Sequence, residues 1–95
     1  MSANRVVYKY PVYVSGGIEL PAGAELLHVA MQGQYGPYLW ALVDPDAKTA
    51  HREIYFVGTG HSMPLPDGGM ERRHIGSCLT DGGEFVWHVF EDVPS

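Results

Sequence analysis

The sequence has little cysteine, and it has no long hydrophobic run. Its one cysteine, Cys78, has no second cysteine in the chain with which to form a disulfide, whereas small secreted domains usually carry several bridges. No stretch approaches the roughly 18 consecutive apolar residues of a membrane-spanning helix. The residues before Val6 hold no apolar signal-peptide core. We therefore expect a cytoplasmic protein that is neither exported nor inserted in a membrane.

Basic residues are also scarce. Six Lys and Arg residues face eleven Asp and Glu, which gives a net charge of −5 and an isoelectric point near 5.3. Direct binding to nucleic acid or to an anionic membrane surface needs a basic surface, so the charge balance disfavours both. With 45% hydrophobic and 18% charged residues, the chain has enough apolar material to fold, alone or with copies of itself. Its 95 residues predict a single domain over residues 1–95, with an ordered core over about residues 5–91.

What the sequence has in quantity is alternating apolar segments separated by glycine and proline. Residues 5–14 alternate with a period of two, which predicts a first strand with Val6, Tyr8 and Tyr10 on one face. The glycines of Ser15-Gly16-Gly17 then predict a tight hairpin into a short second strand over residues 18–20. Glycine and proline placed in this way are typical of turns between strands.

Five more strands follow along the chain. They are predicted over residues 24–32, 38–43, 51–57, 72–79 and 84–91. The run at 24–32 is apolar on both faces, so a helix is the alternative there, but it is short and ends at Gly33. The nearly continuous apolar run at 38–43 predicts a central strand that is buried on both faces. The last two segments predict a hairpin, after which residues 92–95 form a short tail. The pattern therefore predicts an all-β fold, a single small antiparallel barrel or two-sheet sandwich of about seven strands.

One long segment, residues 58–71, shows neither helical nor strand periodicity and predicts a loop. Long loops in compact domains often bind ligands, and glycine and arginine can together hold an anion or a nucleotide. The candidate anion or ligand site consists of Arg52, Gly58, Thr59, Gly60, His61, Arg72 and Arg73. In the alternative interpretation, the glycines only leave a strand and Arg72 and Arg73 lie on a solvated strand edge.

The sequence carries no recognised signature of catalysis or of metal binding. Its five histidines lack ligand spacing, and the chain has neither a Cys-x-x-Cys motif nor a Gly-x-Ser-x-Gly elbow. Cys78 lies within a predicted strand, where a buried cysteine behaves as a small hydrophobe. We therefore predict no catalytic residue, no metal and no cofactor. The lack of these signatures favours a protein without enzymatic activity.

Aromatic residues supply a candidate protein interface. Tyr and Trp are enriched at protein interfaces because they bury a large area and keep a polar atom. Most of the aromatic side chains are expected in the core. Three tyrosines that lie near predicted turns or on a polar face form the candidate interface: Tyr13, Tyr35 and Tyr38.

Five short segments, taken in order, carry a resemblance to a known family. They are Tyr8-Lys9-Tyr10-Pro11, Pro21-Ala22-Gly23-Ala24, Leu39-Trp40-Ala41-Leu42-Val43-Asp44, Gly58-Thr59-Gly60-His61 and Val86-Trp87-His88-Val89-Phe90-Glu91. Over about residues 8–91, the chain resembles a family of short, uncharacterised proteins encoded by tailed phages and prophages. The resemblance implies a phage or prophage origin and expression in an infected or lysogenic bacterium. The function of that family is undefined, so the resemblance supplies no catalytic residue.

Three functional hypotheses follow from these observations. The leading one is a non-enzymatic phage or prophage accessory protein that binds a protein, either a host factor or a second copy of itself. The second is a small-molecule, nucleotide or anion-binding protein that uses the loop at residues 58–73. The third is a minor structural protein of the virion.

Overall fold

A computed structural model describes residues 4–12, 15–33, 36–80 and 83–95. These residues form seven strands and no α-helix. The strands are β1 (Val6–Pro11), β2 (Ser15–Pro21), β3 (Glu25–Met31), β4 (Pro37–Val43), β5 (Thr49–Gly58), β6 (Met70–Thr80) and β7 (Phe85–Pro94). The predicted all-β class and the number of strands are confirmed.

The strands form two sheets, which is the sandwich alternative of the prediction. A three-stranded sheet has the order β1-β4-β3, and a four-stranded sheet has the order β2-β5-β7-β6. Every paired strand is antiparallel to its neighbour. The core lies between the inner faces of the two sheets and includes Leu20, Val29, Leu39, Val43, Ile54 and Val89, all buried.

The predicted hairpin between β1 and β2 is wrong. Strand β1 pairs with β4, whereas β2 pairs with β5 in the other sheet. Ser15, Gly16 and Gly17 belong to β2 itself, where they lie opposite Tyr55, Ile54 and Glu53. The chain therefore leaves one sheet after β1 and enters the other at Ser15, because each of these two strands finds its ladder partner elsewhere.

Strand β4 is central in the three-stranded sheet, as its apolar run predicts, but it is fully buried on one face only. Leu39, Ala41 and Val43 point into the core and are buried, whereas Tyr38, Trp40 and Leu42 alternate with them and are half-buried. The prediction of burial on both faces is wrong for the second face. The four-stranded sheet covers one side of β4 only, since the fold has two layers.

The predicted hairpin of β6 and β7 is confirmed, but the predicted tail is part of the sheet. Strand β7 continues to Pro94, and Asp92 and Val93 pair with Arg72 and Glu71. The predicted strand ended at residue 91, before Asp92. Residues 92–94 extend the strand instead, because Asp92 has Arg72 directly opposite it in the ladder.

The predicted loop is a crossover connection. Strands β5 and β6 are both antiparallel to β7, so they run parallel to each other on either side of it. The connection must therefore travel the length of β7 to reach the start of β6. It occupies residues 59–69, close to the predicted bounds, and we call these residues the crossover loop.

Candidate functional site

The outer face of the three-stranded sheet presents an aromatic cluster. On β4, Tyr38 and Trp40 point away from the core because Leu39 between them points inward. Their ring centroids lie 6.4 Å apart. His28, which is paired with Trp40 across the β3–β4 ladder, places its ring 5.6 Å from the indole. Three rings from two strands thus form one continuous surface.

Basic and apolar side chains border this cluster. Lys9 on β1 places its Nζ atom 4.7 Å from the centroid of the Tyr38 ring and donates a hydrogen bond to Gln32. Val7, on the same side of β1, is 53% exposed. Leu27, at the β-bulge of β3, is also exposed. We call this surface the β4 face; it consists of Val7, Lys9, Leu27, His28, Tyr38, Trp40 and Leu42.

The predicted interface tyrosines can be placed only in part. Tyr38 lies on the β4 face. Tyr13 and Tyr35 fall outside the described residues. Trp40 and His28 belong to the same surface but were not among the predicted interface residues. The signal for Trp40 was the alternation within the apolar run at 38–43, whose even-numbered residues share one side of the strand; His28 joins it only through the β3–β4 pairing.

The predicted anion-site residues do not lie in one place. Gly58 is paired with Trp87 on β7, whereas Arg72 and Glu53 are both paired with Asp92. Glu53 precedes Gly58 by five residues on β5, which corresponds to about 16 Å at the usual rise of a strand. The glycines and the arginines of the predicted site therefore occupy different ends of the four-stranded sheet.

Arg52 is held by a buried carboxylate. Its Nε atom donates a hydrogen bond to Glu91, which is 2% exposed, and its Nη1 atom donates to the Ala24 carbonyl at 3.0 Å. Arg73 lies opposite Glu91 in the ladder and is 63% exposed in its side chain. Both arginines line a cavity of about 210 Å³. Because Glu91 also lines it, an anion entering this cavity would meet a carboxylate.

Arg72 connects strand β7 to the crossover loop and is not available to bind a ligand. It donates two hydrogen bonds to Asp92 and one to the Pro64 carbonyl of the crossover loop. Its guanidinium lies 4.1 Å from the centroid of the Tyr55 ring. Of the two arginines predicted on a solvated edge, Arg73 is exposed but Arg72 is almost fully buried. Arg72 differs because Asp92 and Pro64 fill its donor positions.

A small cleft opens where the crossover loop leaves β5. Gly58, Thr59 and His61 line it together with residues at the start of β7, and its volume is about 320 Å³. Gly60 has a φ of +85°, which glycine adopts without strain. The turn closes with a hydrogen bond from the His61 N–H to the Gly58 carbonyl at 3.0 Å. The β7 side of the cleft is lined by Glu84, Phe85, Val86 and Trp87.

His88 ties the crossover loop to the sheet. Its Nε2 atom lies 2.7 Å from the Thr59 hydroxyl, and its Nδ1 atom lies 3.0 Å from the Ser77 hydroxyl. The three residues come from the loop, β7 and β6. Sequence reasoning missed this group because its members are far apart in the chain and meet only through the ladder.

His51 lies between two carboxylates on the outer face of the four-stranded sheet. Its Nε2 atom is 2.5 Å from Glu53, and its Nδ1 atom is 3.2 Å from Glu19. The hydrogen bond with Glu53 is the main cause that raises the pKa of His51, and Glu19 adds to it. Gly17 leaves room for the ring, since a Cβ at this position would lie 1.7 Å from His51 Cε1.

Within residues 4–12, 15–33, 36–80 and 83–95, no group of three His, Cys, Asp or Glu side chains is arranged to hold a metal ion. The same part of the chain contains no helix of the length and apolar character that crossing a membrane requires.

Comparisons with known proteins identify a family but no characterised relative. Residues 3–95 match the family described as Domain of unknown function (DUF7352). No curated protein and no solved structure matches the chain.

Proposed function

The chain belongs to the DUF7352 family, whose function is unknown, and we propose that this member acts by binding another protein through the β4 face. The observation that carries the proposal is the placement of Trp40 between His28 and Tyr38 on the outer side of a central strand. Trp and Tyr dominate the energetics of protein interfaces because they bury large areas with little loss of side-chain freedom. A rigid sheet holds these rings in place before a partner arrives, which lowers the entropic cost of binding.

The chemistry of the β4 face suggests the character of the partner. Arg5 and Lys9, two of only six basic residues in a chain of net charge −5, lie along one side of it. Arg5 donates a hydrogen bond to the Leu42 carbonyl on the neighbouring strand. Basic groups along one side of an apolar surface favour a partner that offers an apolar patch with acidic side chains along the matching side.

Charge also favours a different protein over a second copy of this chain. In a two-fold symmetric dimer, the same surface of both copies meets itself. Pairing two β4 faces with β1 against β1 would bring two basic borders together in one interface, at a cost in repulsion. A host protein with an acidic border avoids this cost.

The biological setting that we propose is that of a non-enzymatic phage or prophage accessory protein in the cytoplasm of an infected or lysogenic bacterium. It rests on the resemblance to short phage and prophage proteins. That resemblance is carried by five ordered segments, which begin with Tyr8-Lys9-Tyr10-Pro11 and end with Val86-Trp87-His88-Val89-Phe90-Glu91. A role as a minor virion protein predicts instead that the chain is present in purified particles.

Photocrosslinking tests the proposed surface. A photoreactive amino acid replaces Val7 on the β4 face, and a control variant carries it at Leu79 on the outer side of the four-stranded sheet. The two side chains are exposed to almost the same extent, 53% and 55%. Irradiation of host cells that express each variant, followed by mass spectrometry, is expected to identify a heterologous protein linked at position 7 and absent at position 79.

Two outcomes would contradict the proposal. Equal crosslinking at both positions would mean that contact with the β4 face is not selective. The second outcome is a crosslink at position 7 to a second copy of the chain alone, together with a concentration-dependent dimer in sedimentation. It would mean that the β4 face mediates self-association and does not bind a host protein.

A further inference from the structure

We propose that the cleft of about 320 Å³ beside the crossover loop binds an organic cation that carries an alkylated ammonium group. The cleft is lined by Gly58, Thr59, His61, Glu84, Phe85, Val86 and Trp87. It lies in the four-stranded sheet and shares no residue with the β4 face, so this proposal is independent of the protein-binding function.

The cleft offers aromatic surfaces on more than one side. Phe85 and Trp87 are two residues apart on β7, so their side chains point to the same side of the sheet. His61 approaches from the loop; a Cβ at Gly58 would lie 2.8 Å from its Nδ1 atom. The imidazole therefore occupies space that a side chain at position 58 would take. Ring faces carry partial negative charge and attract cations.

The charge of the lining disfavours the anion that was predicted from the sequence. Among the described residues, the cleft is lined by one acidic side chain, Glu84, and by no Lys or Arg. The three arginines of the predicted anion site lie elsewhere, two of them bonded to Glu91 and Asp92. A carboxylate beside aromatic rings in a chain of net charge −5 complements a positive ligand.

The walls of the cleft are held by contacts of their own. The indole Nε1 atom of Trp87 donates a hydrogen bond to the Thr80 hydroxyl at 3.1 Å. Gly58, opposite Trp87 in the β5–β7 ladder, has no side chain that could cover the ring. The Thr59 N–H donates to the Val86 carbonyl at 3.4 Å and fixes the start of the loop. Binding therefore needs little reorganisation of the cleft, which favours affinity.

An alkylated ammonium group fits this lining better than a primary amine or a guanidinium. The lining is mostly apolar, whereas a primary amine needs hydrogen-bond acceptors for its three donors when it leaves water. A trimethylammonium group has no donor to satisfy and spreads its charge over methyl groups that can contact ring faces. The cavity volume lies at the lower end of the range for small-molecule sites, which suits a compact group of this kind.

Choline is the probe, and its uncharged analogue is the control. In 3,3-dimethyl-1-butanol, here called dimethylbutanol, a tert-butyl group replaces the trimethylammonium group of choline. The shape of the molecule is kept while its charge is lost. The chain has only two tryptophans, Trp40 and Trp87, and hence two indole N–H signals in a nitrogen-15 spectrum. Titration with choline is expected to shift the Trp87 signal saturably and leave the Trp40 signal in place. Dimethylbutanol is expected to bind about ten-fold more weakly, because it lacks the cation–π attraction.

Three variants separate binding in the proposed site from general effects on the protein. Glu84→Gln keeps the shape of the side chain and is expected to weaken choline binding about three-fold or more by removing one charge. Glu71→Gln, at an exposed glutamate on β6 outside the cleft, is the matched control and is expected to leave the affinity unchanged. Phe85→Leu removes an aromatic ring at an exposed position that is not part of the buried core. It is expected to weaken choline binding as well.

The proposal is overturned if the Trp87 signal stays in place at saturating choline concentration. It is equally overturned if dimethylbutanol binds as tightly as choline, which would make the cleft merely apolar, or if Glu71→Gln weakens binding as much as Glu84→Gln. A failure of the β4 face to bind a protein would leave all three measurements unaffected.

Discussion

Arg72 and Asp92 face each other across the β6–β7 ladder and form a two-point ion pair. Arg72 Nε lies 2.6 Å from Asp92 Oδ1, and Arg72 Nη2 lies 2.9 Å from Asp92 Oδ2. Both side chains are almost fully buried. The pair raises the pKa of Arg72 and lowers the pKa of Asp92, in each case chiefly through the shared hydrogen bonds. Since Arg72 also bonds the Pro64 carbonyl, the pair anchors the crossover loop.

Replacement of Arg72 is expected to cost stability. Arg72→Met leaves Asp92 buried without its partner and should lower the free energy of unfolding by about 3 kcal/mol. Urea denaturation followed by circular dichroism measures the difference. Arg73→Met at the exposed neighbouring arginine is the control and is expected to change stability by less than about 0.5 kcal/mol. Equal effects of the two variants would contradict a structural role for Arg72.

The same pair predicts a loss of stability in acid. The pKa of Asp92 is lower in the folded than in the unfolded chain, so its contribution is fully present above the unfolded pKa of about 3.9. It is lost as pH falls through the lower folded pKa. The stability difference between the wild type and Asp92→Asn should therefore shrink between about pH 4 and pH 2. A difference that stays constant over that range would contradict the lowered pKa.

His51 predicts a dependence of opposite sign near neutral pH. Its folded pKa is raised, so the stabilising contribution is fully present below the unfolded pKa of about 6.5 and is lost as pH rises through the folded pKa. A proton NMR titration should give a His51 pKa above 6.5. Glu53→Gln should lower that pKa more than Glu19→Gln, because the hydrogen bond with Glu53 is the larger cause. A larger effect of Glu19→Gln would contradict this arrangement.

Cys78 is expected to be unreactive in the folded chain. It is buried on β6, and burial raises the pKa of its thiol, which lowers the fraction of reactive thiolate. At pH 8, labelling by an aromatic disulfide reagent should be about 100-fold slower in the native protein than in denaturant, since it requires local opening. Labelling at the rate of a free peptide thiol would show that Cys78 is accessible.

The sequence predicted the strands well because alternation and turn residues are local signals. All seven strands overlap the predicted segments. Pairing partners were not predictable in the same way. The glycines before Ile18 were interpreted as a hairpin, but they lie in β2 opposite β5. Alternation specifies the face of a strand, whereas its ladder partner depends on the whole fold.

The candidate sites were predictable to a lesser degree. One predicted interface residue, Tyr38, lies on the β4 face. Three residues of the predicted anion site line the cleft beside the crossover loop: Gly58, Thr59 and His61. The prediction that the arginines lie beside those residues is wrong. Arg52 and Arg72 are each paired with a carboxylate on β7, and Arg73 is exposed to solvent. Closeness along the chain was a poor guide here, since β5 and β6 are connected by a loop that crosses the sheet.

The most direct test of protein binding is the affinity of the partner captured through position 7, measured by isothermal titration calorimetry. Lys9→Glu reverses a charge on the β4 face, and Leu79→Glu places the same side chain at an exposed site on the four-stranded sheet. Binding through the β4 face predicts at least a ten-fold loss of affinity, about 1.4 kcal/mol, for Lys9→Glu and no loss for Leu79→Glu. Full affinity of Lys9→Glu, or an equal loss in both variants, would contradict binding through the β4 face.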